Sequence, residues 1–384
     1  MRNSIRNFVT SPTFSGALLL LAAVIALIWA NSGFSSLYEA LKSLPINLLV
    51  LEKPLELWVN DFLMAIFFLL VGVELKREIL TGELSNPRGA SLAIFAALGG
   101  MIVPALIYTV FNAGTTGAAG WGIPMATDIA FAVGILSLLG SRVPIALKVF
   151  LIALAVVDDM GAVIVIAVFY TSKLDPLMLG AVALIYTALW GLNAARVRVL
   201  PIYLMLGLVL WFLVYKSGLH ATIAGVLLAS TIPMGKENSS PLETLEHWLK
   251  KPVNFVIMPI FALFNAGVPI SAALAGGIGQ ITTGVFFGLV LGKPLGITLF
   301  SWLAVRLGLA ELPRQTNWAM MLGVGMLGGI GFTMALFIAS LAFQSNPALL
   351  ETAKLGVIAA SFTTATIGLL WLSFVTKNRT EPKA

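Results

Sequence analysis

Twelve apolar stretches follow one another along this chain, at about 12–31, 58–80, 90–111, 121–140, 145–171, 176–194, 200–215, 219–234, 253–271, 283–305, 318–341 and 351–375. A bilayer crossing needs roughly 20 mostly apolar residues. Inside hydrocarbon a segment must satisfy its own backbone hydrogen bonds, which selects helices. The expectation is therefore an all-α polytopic membrane protein, one domain over residues 1–384, with twelve transmembrane helices. Composition agrees: hydrophobic residues make up 59% and charged ones only 10%, against about a quarter charged in soluble domains. The absence of cysteine excludes disulfides, thiolate chemistry and Cys-based metal sites. A net charge of +6 invites a nucleic-acid reading, but no Lys/Arg cluster on a soluble domain supports one. Arg2 and Arg6 before the apolar run Phe14 to Ala30 have the charge pattern of a signal peptide. That run is longer than the usual h-region of about 7–15 residues, so it reads as an uncleaved first helix.

The positive charge is explained by topology. With Lys and Arg assigned to alternating sides, one side collects Arg2, Arg6, Lys76, Arg77, Arg88, Arg142, Lys148, Arg196, Arg198, Lys236, Lys250, Lys251, Arg306, Arg314, Lys377, Arg379 and Lys383. The other collects only Lys42, Lys53, Lys173, Lys216 and Lys354. By the positive-inside rule both termini are expected in the cytoplasm. Lys293 belongs to neither side, because it lies inside a span. Residues 43–57, SLPINLLVLEKPLEL, read as a β-hairpin or an ordered irregular loop on the extracytoplasmic side. The polar stretch from Gly235 to Lys251 reads as a cytoplasmic loop that enters a helix at Pro241.

Charges inside the spans carry the functional signal. Asp128, Asp158, Asp159 and Lys293 each cost about 2.5–3.5 kcal/mol at a helix centre, so together on the order of 10–14 kcal/mol if unpaired. That rivals the stability of a whole domain. A structural ion pair accounts for one acid and one base, whereas three acids against one base leave a surplus. A net-negative, oxygen-rich interior suits a small hard cation. A cation that displaces Lys293 from an acid would free the lysine's proton, coupling cation entry to proton release. Asp158 and Asp159 are adjacent, so on a helix they point about 100° apart. Their roles should differ, with Asp159 facing the ion path and Asp158 meeting Lys293.

Two spans are interrupted. Segment 121–140 carries Gly122, Pro124 and the polar Thr127–Asp128, and segment 318–341 contains GVGMLGGIGFT, which ends at Thr333. Each is the middle of three spans, at 90–171 and 283–375, and the two triplets start from opposite sides. Two inverted-topology repeats follow, with the broken segments marking a transport site between them. Half-helix ends that meet there need charges to offset their dipoles, a role open to Asp128 and Lys293. Two lookalikes are set aside. Gly323-x-Gly325-x-x-Gly328 matches a dinucleotide fingerprint but follows no strand, and Gly292-Lys293-Pro294 lacks the rest of a phosphate loop. Glycines 284, 288, 292 and 296 read as a stripe for close helix packing. Asp61 reads as an interfacial acid rather than a funnel residue, and His220 as a helix-end histidine rather than a sensor. Glu74, Lys76, Arg77 and Glu78 crowd the cytoplasmic end of the second span, where a plain surface cluster needs no special role. With Glu246 and His247 they could form an ion-pair network responsive to pH.

The strings ATDIAFAVG (126–134), ALAVVDDMGAVIVI (153–166), KSGLHATIAGV (216–226), GKPLGI (292–297) and GIGFTMALFIASLAF (329–343) resemble an NhaA-type sodium/proton antiporter, as do FFLLVGVELKREIL (67–80) and GGMIVPALIY (99–108). The similarity runs along essentially the whole chain. This family is itself among those on which inverted-repeat reasoning rests. The resemblance implies broken, crossing spans four and eleven, and a bacterial inner-membrane location. It implies that Asp158 and Asp159 bind the transported Na⁺ and protons, supported by Thr127, Asp128 and Lys293. It further implies electrogenic exchange of cytoplasmic Na⁺ or Li⁺ for external H⁺, activated at alkaline pH, with no cofactor. Glu74, Arg77, Glu78, Glu246 and His247 match the family's pH-response region, and residues 43–57 its dimer hairpin. One departure is the loop before Glu246, where Glu243 and Thr244 stand in place of basic residues and Lys250 replaces a histidine. It bears on the pH midpoint rather than on the exchange chemistry. An intramembrane aspartyl protease lacks support because Val156-Val157-Asp158 is not its Gly-x-Gly-Asp signature. A passive channel lacks support because no filter-like repeat is present.

Overall fold

The computed structural model describes residues 12–48, 51–171, 174–235, 240–274 and 277–377. Of the basic residues used for topology, Arg2, Arg6, Lys173, Lys236, Arg379 and Lys383 lie outside these, as does the tip of the 43–57 segment. Helix α1 is Pro12–Ala30, α2 Ser35–Lys42 and α3 Leu55–Thr81. Helix α4 is Pro87–Asn112, and a 3-10 lead-in, Thr116–Met125, precedes α5, Ile129–Ser137. Then come α6 (Ile145–Phe169), α7 (Pro176–Ala194), α8 (Leu200–Lys216), α9 (Ile223–Thr231), α10 (Pro241–Pro252) and α11 (Met258–Asn265). Helix α12 is Gln280–Arg306, followed by α13 (Trp318–Gly328), α14 (Phe332–Ala342) and α15 (Pro347–Val375).

Among the described residues seven helices are long and apolar enough to cross a membrane, and two further spans arise if each bent pair counts as one. The chain is thus a multi-pass membrane protein. Three of the twelve expected segments fall short of a span among the described residues, the first being 200–215, where the apolar helix α8 has 17 residues. At 219–234 only the nine residues of α9 are helical, because the chain before it turns at Gly218 with φ +88°. At 253–271 a five-residue π turn, Val253–Ile257, joins α10 to the eight-residue α11. The hairpin is present. Strands Pro45–Leu48 and Leu51–Pro54 pair antiparallel, with Ile46 opposite Lys53.

The two bent pairs lie where glycine, proline and polar residues interrupt the apolar runs. The lead-in 116–125 meets α5 at 43°, and α13 meets α14 at 46°. The breaks cross: Asp128 N–H donates to the Ile330 carbonyl at 2.7 Å, and Thr127 Oγ1 lies 2.8 Å from the Gly328 carbonyl. Extended backbone at this depth is tolerable because each break supplies hydrogen bonds to the other.

The glycine stripe on α12 does pack. A Cβ on Gly296 would stand 2.1 Å from the Gly99 carbonyl oxygen of α4, and one on Gly292 2.8 Å from Pro104 Cα. Because the obstacle is backbone, the helices must separate to admit any side chain. Gly296→Val is expected to cost at least about 1–3 kcal/mol and to lower the thermal unfolding temperature in detergent. Gly180→Val, where a Cβ would meet nothing within 4 Å, serves as the control. Equal melting of the two variants would refute the close-packing account.

Candidate functional site

The crossing places the four intramembrane charges together. Asp158 and Lys293 form an ion pair in which both side chains are fully buried. Asp158 Oδ2 also lies 2.6 Å from Thr127 Oγ1, and Lys293 Nζ donates to that hydroxyl at 2.8 Å. The single Thr127 proton therefore serves either Asp158 or the Gly328 carbonyl at any moment. Lys293 reaches this point from an irregular helix. A π turn, Gly288–Gly292, immediately precedes it, so the Lys293 N–H bonds the Gly288 carbonyl. Pro294 then offers no N–H to the next carbonyl. Such widened turns recur at functional sites.

Asp159 faces elsewhere, as the 100° offset requires. Both its carboxylate oxygens are buried and, among the described residues, accept no hydrogen bond, and Asp158 Oδ1 is in the same condition. Asp159 lines a cavity of about 850 Å³ that it shares with Asp128 and Thr333. Asp128 is well satisfied by contrast. It caps α5 by accepting the Phe131 N–H at 3.0 Å, and Thr333 at the start of α14 donates both its N–H (3.1 Å) and its hydroxyl (2.5 Å). One carboxylate thus stands at the positive N-terminal ends of two half-helices, where a negative charge is most stabilising.

The same cavity opens at the ends of α3 and α10, between Glu74, Arg77 and Lys250. Arg77 Nε bonds Glu246 Oε2 at 2.9 Å and its Nη2 bonds Glu78 Oε1 at 2.7 Å. Lys250 Nζ bonds Glu246 Oε1 at 2.6 Å and lies 3.5 Å from Glu74 Oε1. His247 lines the cavity but is exposed and forms no ion pair among the described residues. Sequence reasoning grouped five of these residues and gave Lys250 no structural part. Only the fold shows that it clamps α10 to α3. Burial lowers the Lys250 ammonium, and the hydrogen bond to Glu246 with the nearby Glu74 carboxylate more than offsets it, leaving it above its ordinary value. A raised lysine contributes its stabilisation below its unfolded pKa and loses it as pH rises through the folded value. Lys250→Gln is therefore expected to lower the melting temperature similarly at neutral and mildly alkaline pH. The loss should be under about 1 kcal/mol, since the pair is partly screened. A loss confined to acid pH would contradict this.

Asp61 departs from the expectation of a simple interfacial acid. Its carboxylate is largely buried, pairs with Lys53 of the hairpin at 2.5 Å and lies 3.7 Å from His220 Nε2. Lys53 also sits 3.6 Å over the Tyr215 ring. His220 behaves as a helix-end residue, its Nδ1 2.8 Å from Thr222 Oγ1 just before α9. Thr333, noted in sequence only as the end of a glycine-rich run, is the main partner of Asp128. The signal was its position one residue into a half-helix, opposite an aspartate in the other break.

The family model described as Na⁺/H⁺ antiporter 1 matches residues 6–372. The chain belongs to this antiporter family. It is 50% identical to the Na⁺/H⁺ antiporter NhaA 2 of Flavobacterium johnsoniae over 382 residues, covering 98% of this chain and 93% of that one. It is 49% identical to the Na⁺/H⁺ antiporter NhaA of Citrobacter koseri over 377 residues, covering 96% and 97%. The Escherichia coli O1:K1 / APEC antiporter of the same name is also 49% identical over 377 residues. These relatives are named as transporters, which removes the protease alternative.

Proposed function

We propose that this protein exchanges cytoplasmic Na⁺, or Li⁺, for external H⁺ through competition of cation and protons for Asp158 and Asp159. The observation that carries the reading is the unequal pair. Asp159 presents two buried, unpartnered oxygens to a large cavity, while its neighbour Asp158 is held by Lys293. Buried polar atoms without partners are costly, and a proton or a small cation relieves that cost at the same oxygens. The two occupants exclude one another, which is the condition for exchange. Na⁺ arriving from the cavity meets Asp159 first, then the free Asp158 Oδ1, and loosens the Lys293 pair. Binding of one monovalent cation in place of more than one proton makes the cycle electrogenic. Asp128, already satisfied by both half-helices, holds the crossing in shape rather than carrying the ion.

The wider arrangement follows the same reading. The cavity mouth lies beside Arg77 and Lys250, on the side rich in basic residues, which the positive-inside rule assigns to the cytoplasm together with both termini. The bent pairs sit in the middle of the triplets 90–171 and 283–375, as two inverted repeats require. The cluster of Glu74, Arg77, Glu78, Glu246 and His247 at the mouth is suited to set activation at alkaline pH. The two-stranded hairpin within 43–57 leaves strand edges open, a template for a homodimer, and the membrane is the bacterial inner membrane.

In proteoliposomes with an imposed pH gradient, Na⁺ or Li⁺ is expected to collapse the gradient, and K⁺ is not. Na⁺ movement without proton flux would refute exchange. Glu246→Gln or a substitution of His247 is expected to move the pH profile while leaving maximal exchange nearly intact. Loss of exchange at every pH would instead assign these residues to folding.

A further inference from the structure

Each of the two crossing breaks is tied to the third helix of its own triplet, by different chemistry. In the first, Thr127 Oγ1 lies 2.6 Å from Asp158 Oδ2 of α6, 31 residues on. In the second, the Phe332 N–H donates to Ser361 Oγ of α15 at 3.1 Å, 29 residues on. Ser361 is thus the counterpart of Asp158 in the second triplet, with a neutral hydroxyl in place of a carboxylate. It is 3% exposed and does not line the ion cavity.

The amide it accepts from has no other partner to turn to. Phe332 begins α14, so its N–H has no acceptor within the helix, and the bond to Ser361 is buried. On either side of Phe332 the break is fastened to the first span. The Gly328 carbonyl meets Thr127 Oγ1, the Ile330 carbonyl accepts the Asp128 N–H, and the Thr333 N–H donates to Asp128 Oδ2. Those bonds join one break to the other, whereas Ser361 joins the pair to an unbroken helix. Helix α15 runs 29 residues without interruption. It also holds the far end of the broken span, where Trp371 Nε1 donates to the Ala319 carbonyl of α13 at 2.8 Å. Between the two, a Cβ on Gly329 would meet the Thr364 methyl at 2.9 Å, so α15 lies tight against the break.

We propose that Ser361 is a positioning residue for cation binding, an inference that rests on the exchange function above. By holding the Phe332 amide it fixes the Gly328 and Ile330 carbonyls and, through Thr127, the Asp158 carboxylate. A buried N–H without an acceptor is costly, so removal of Oγ drives the start of α14 toward another acceptor. That shift reaches the ion site within one helical turn of chain. It leaves the carboxylates and the cavity lining in place, so cation affinity falls while maximal turnover is kept.

In proteoliposomes Ser361→Ala is expected to raise the half-saturating Na⁺ concentration roughly 10-fold, the low end for a lost outer partner of a ligand. The maximal rate should change little. Ser361→Thr keeps the hydroxyl and should restore the wild-type value. Ser361→Cys keeps the volume with a weaker acceptor. It should fall between the two, and it takes the place of Ser361→Ala if that variant does not reconstitute. Amide exchange of residues 328–337, followed by mass spectrometry in detergent, should quicken in Ser361→Ala and not in Ser361→Thr. Thr364→Val is the control, because the Thr364 hydroxyl bonds the Ala360 and Ser361 carbonyls of its own helix. Both readouts should stay at wild type there. An unchanged Na⁺ dependence in Ser361→Ala, or an equal shift in Thr364→Val, overturns the proposal. If Na⁺ drives no proton movement in the wild-type protein, it is the exchange reading that fails. Amide exchange unchanged in Ser361→Ala then overturns the positioning role by itself.

Discussion

Asp159→Asn is expected to reduce Na⁺-driven proton movement in proteoliposomes to the level of protein-free vesicles at every pH. The substitution keeps the shape of the side chain and removes its charge. Because neither Asp159 oxygen accepts a hydrogen bond among the described residues, no structural bond is lost there, and the variant should reconstitute with an unchanged melting temperature. That combination, full stability with no exchange, separates an ion-binding role from a folding role. Asp158→Asn should also abolish exchange, but it breaks the pair with Lys293 and should melt earlier. Thr127→Ala is expected only to weaken the cation, by roughly 10-fold in the half-saturating Na⁺ concentration, as is usual when an outer partner of a ligand is lost. Normal exchange in both asparagine variants would overturn the site assignment.

Lys293→Ala is expected to give the largest loss of stability among the site variants. It leaves Asp158 fully buried with no counter-charge, and breaking a buried pair from one side costs about 3–5 kcal/mol. Most of that cost is the stranded charge rather than the value of the bridge. The double variant Lys293→Ala with Asp158→Asn should therefore melt well above Lys293→Ala alone. A double-mutant cycle in thermal unfolding measures the coupling directly. Additive losses would show that the two residues do not share one pair. Neither variant should support exchange, so stability and transport are read independently.

The cost of an ion in hydrocarbon singled out Asp128, Asp158, Asp159 and Lys293 without any coordinates, because four such charges are intelligible only if they meet. The geometry of consecutive helix residues also required that Asp158 and Asp159 face different ways, while the fold decided that it is Asp158 that meets Lys293. Segment ends were less legible. The run at 219–234 is mostly apolar, yet only Ile223–Thr231 is helical, since apolar composition does not encode where backbone hydrogen bonding stops. Lys76 shows why: its ammonium bonds the Ser230 and Ile232 carbonyls at 2.6 and 2.7 Å, closing α9 from a helix far away in sequence.

What the sequence determined by itself is the class of protein, the broken spans and the identity of the buried charges, all of which follow from local transfer costs and helix periodicity. What only the tertiary structure decided is who satisfies whom. Thr333 reaches Asp128, Arg77 at the end of α3 bonds Glu246 of α10, and Lys53 holds Asp61 under the hairpin. Each of these bonds joins elements whose approach is set by packing, such as the backbone contact of Gly99 with Gly296. A single residue carries no record of such a partner until the helices have met.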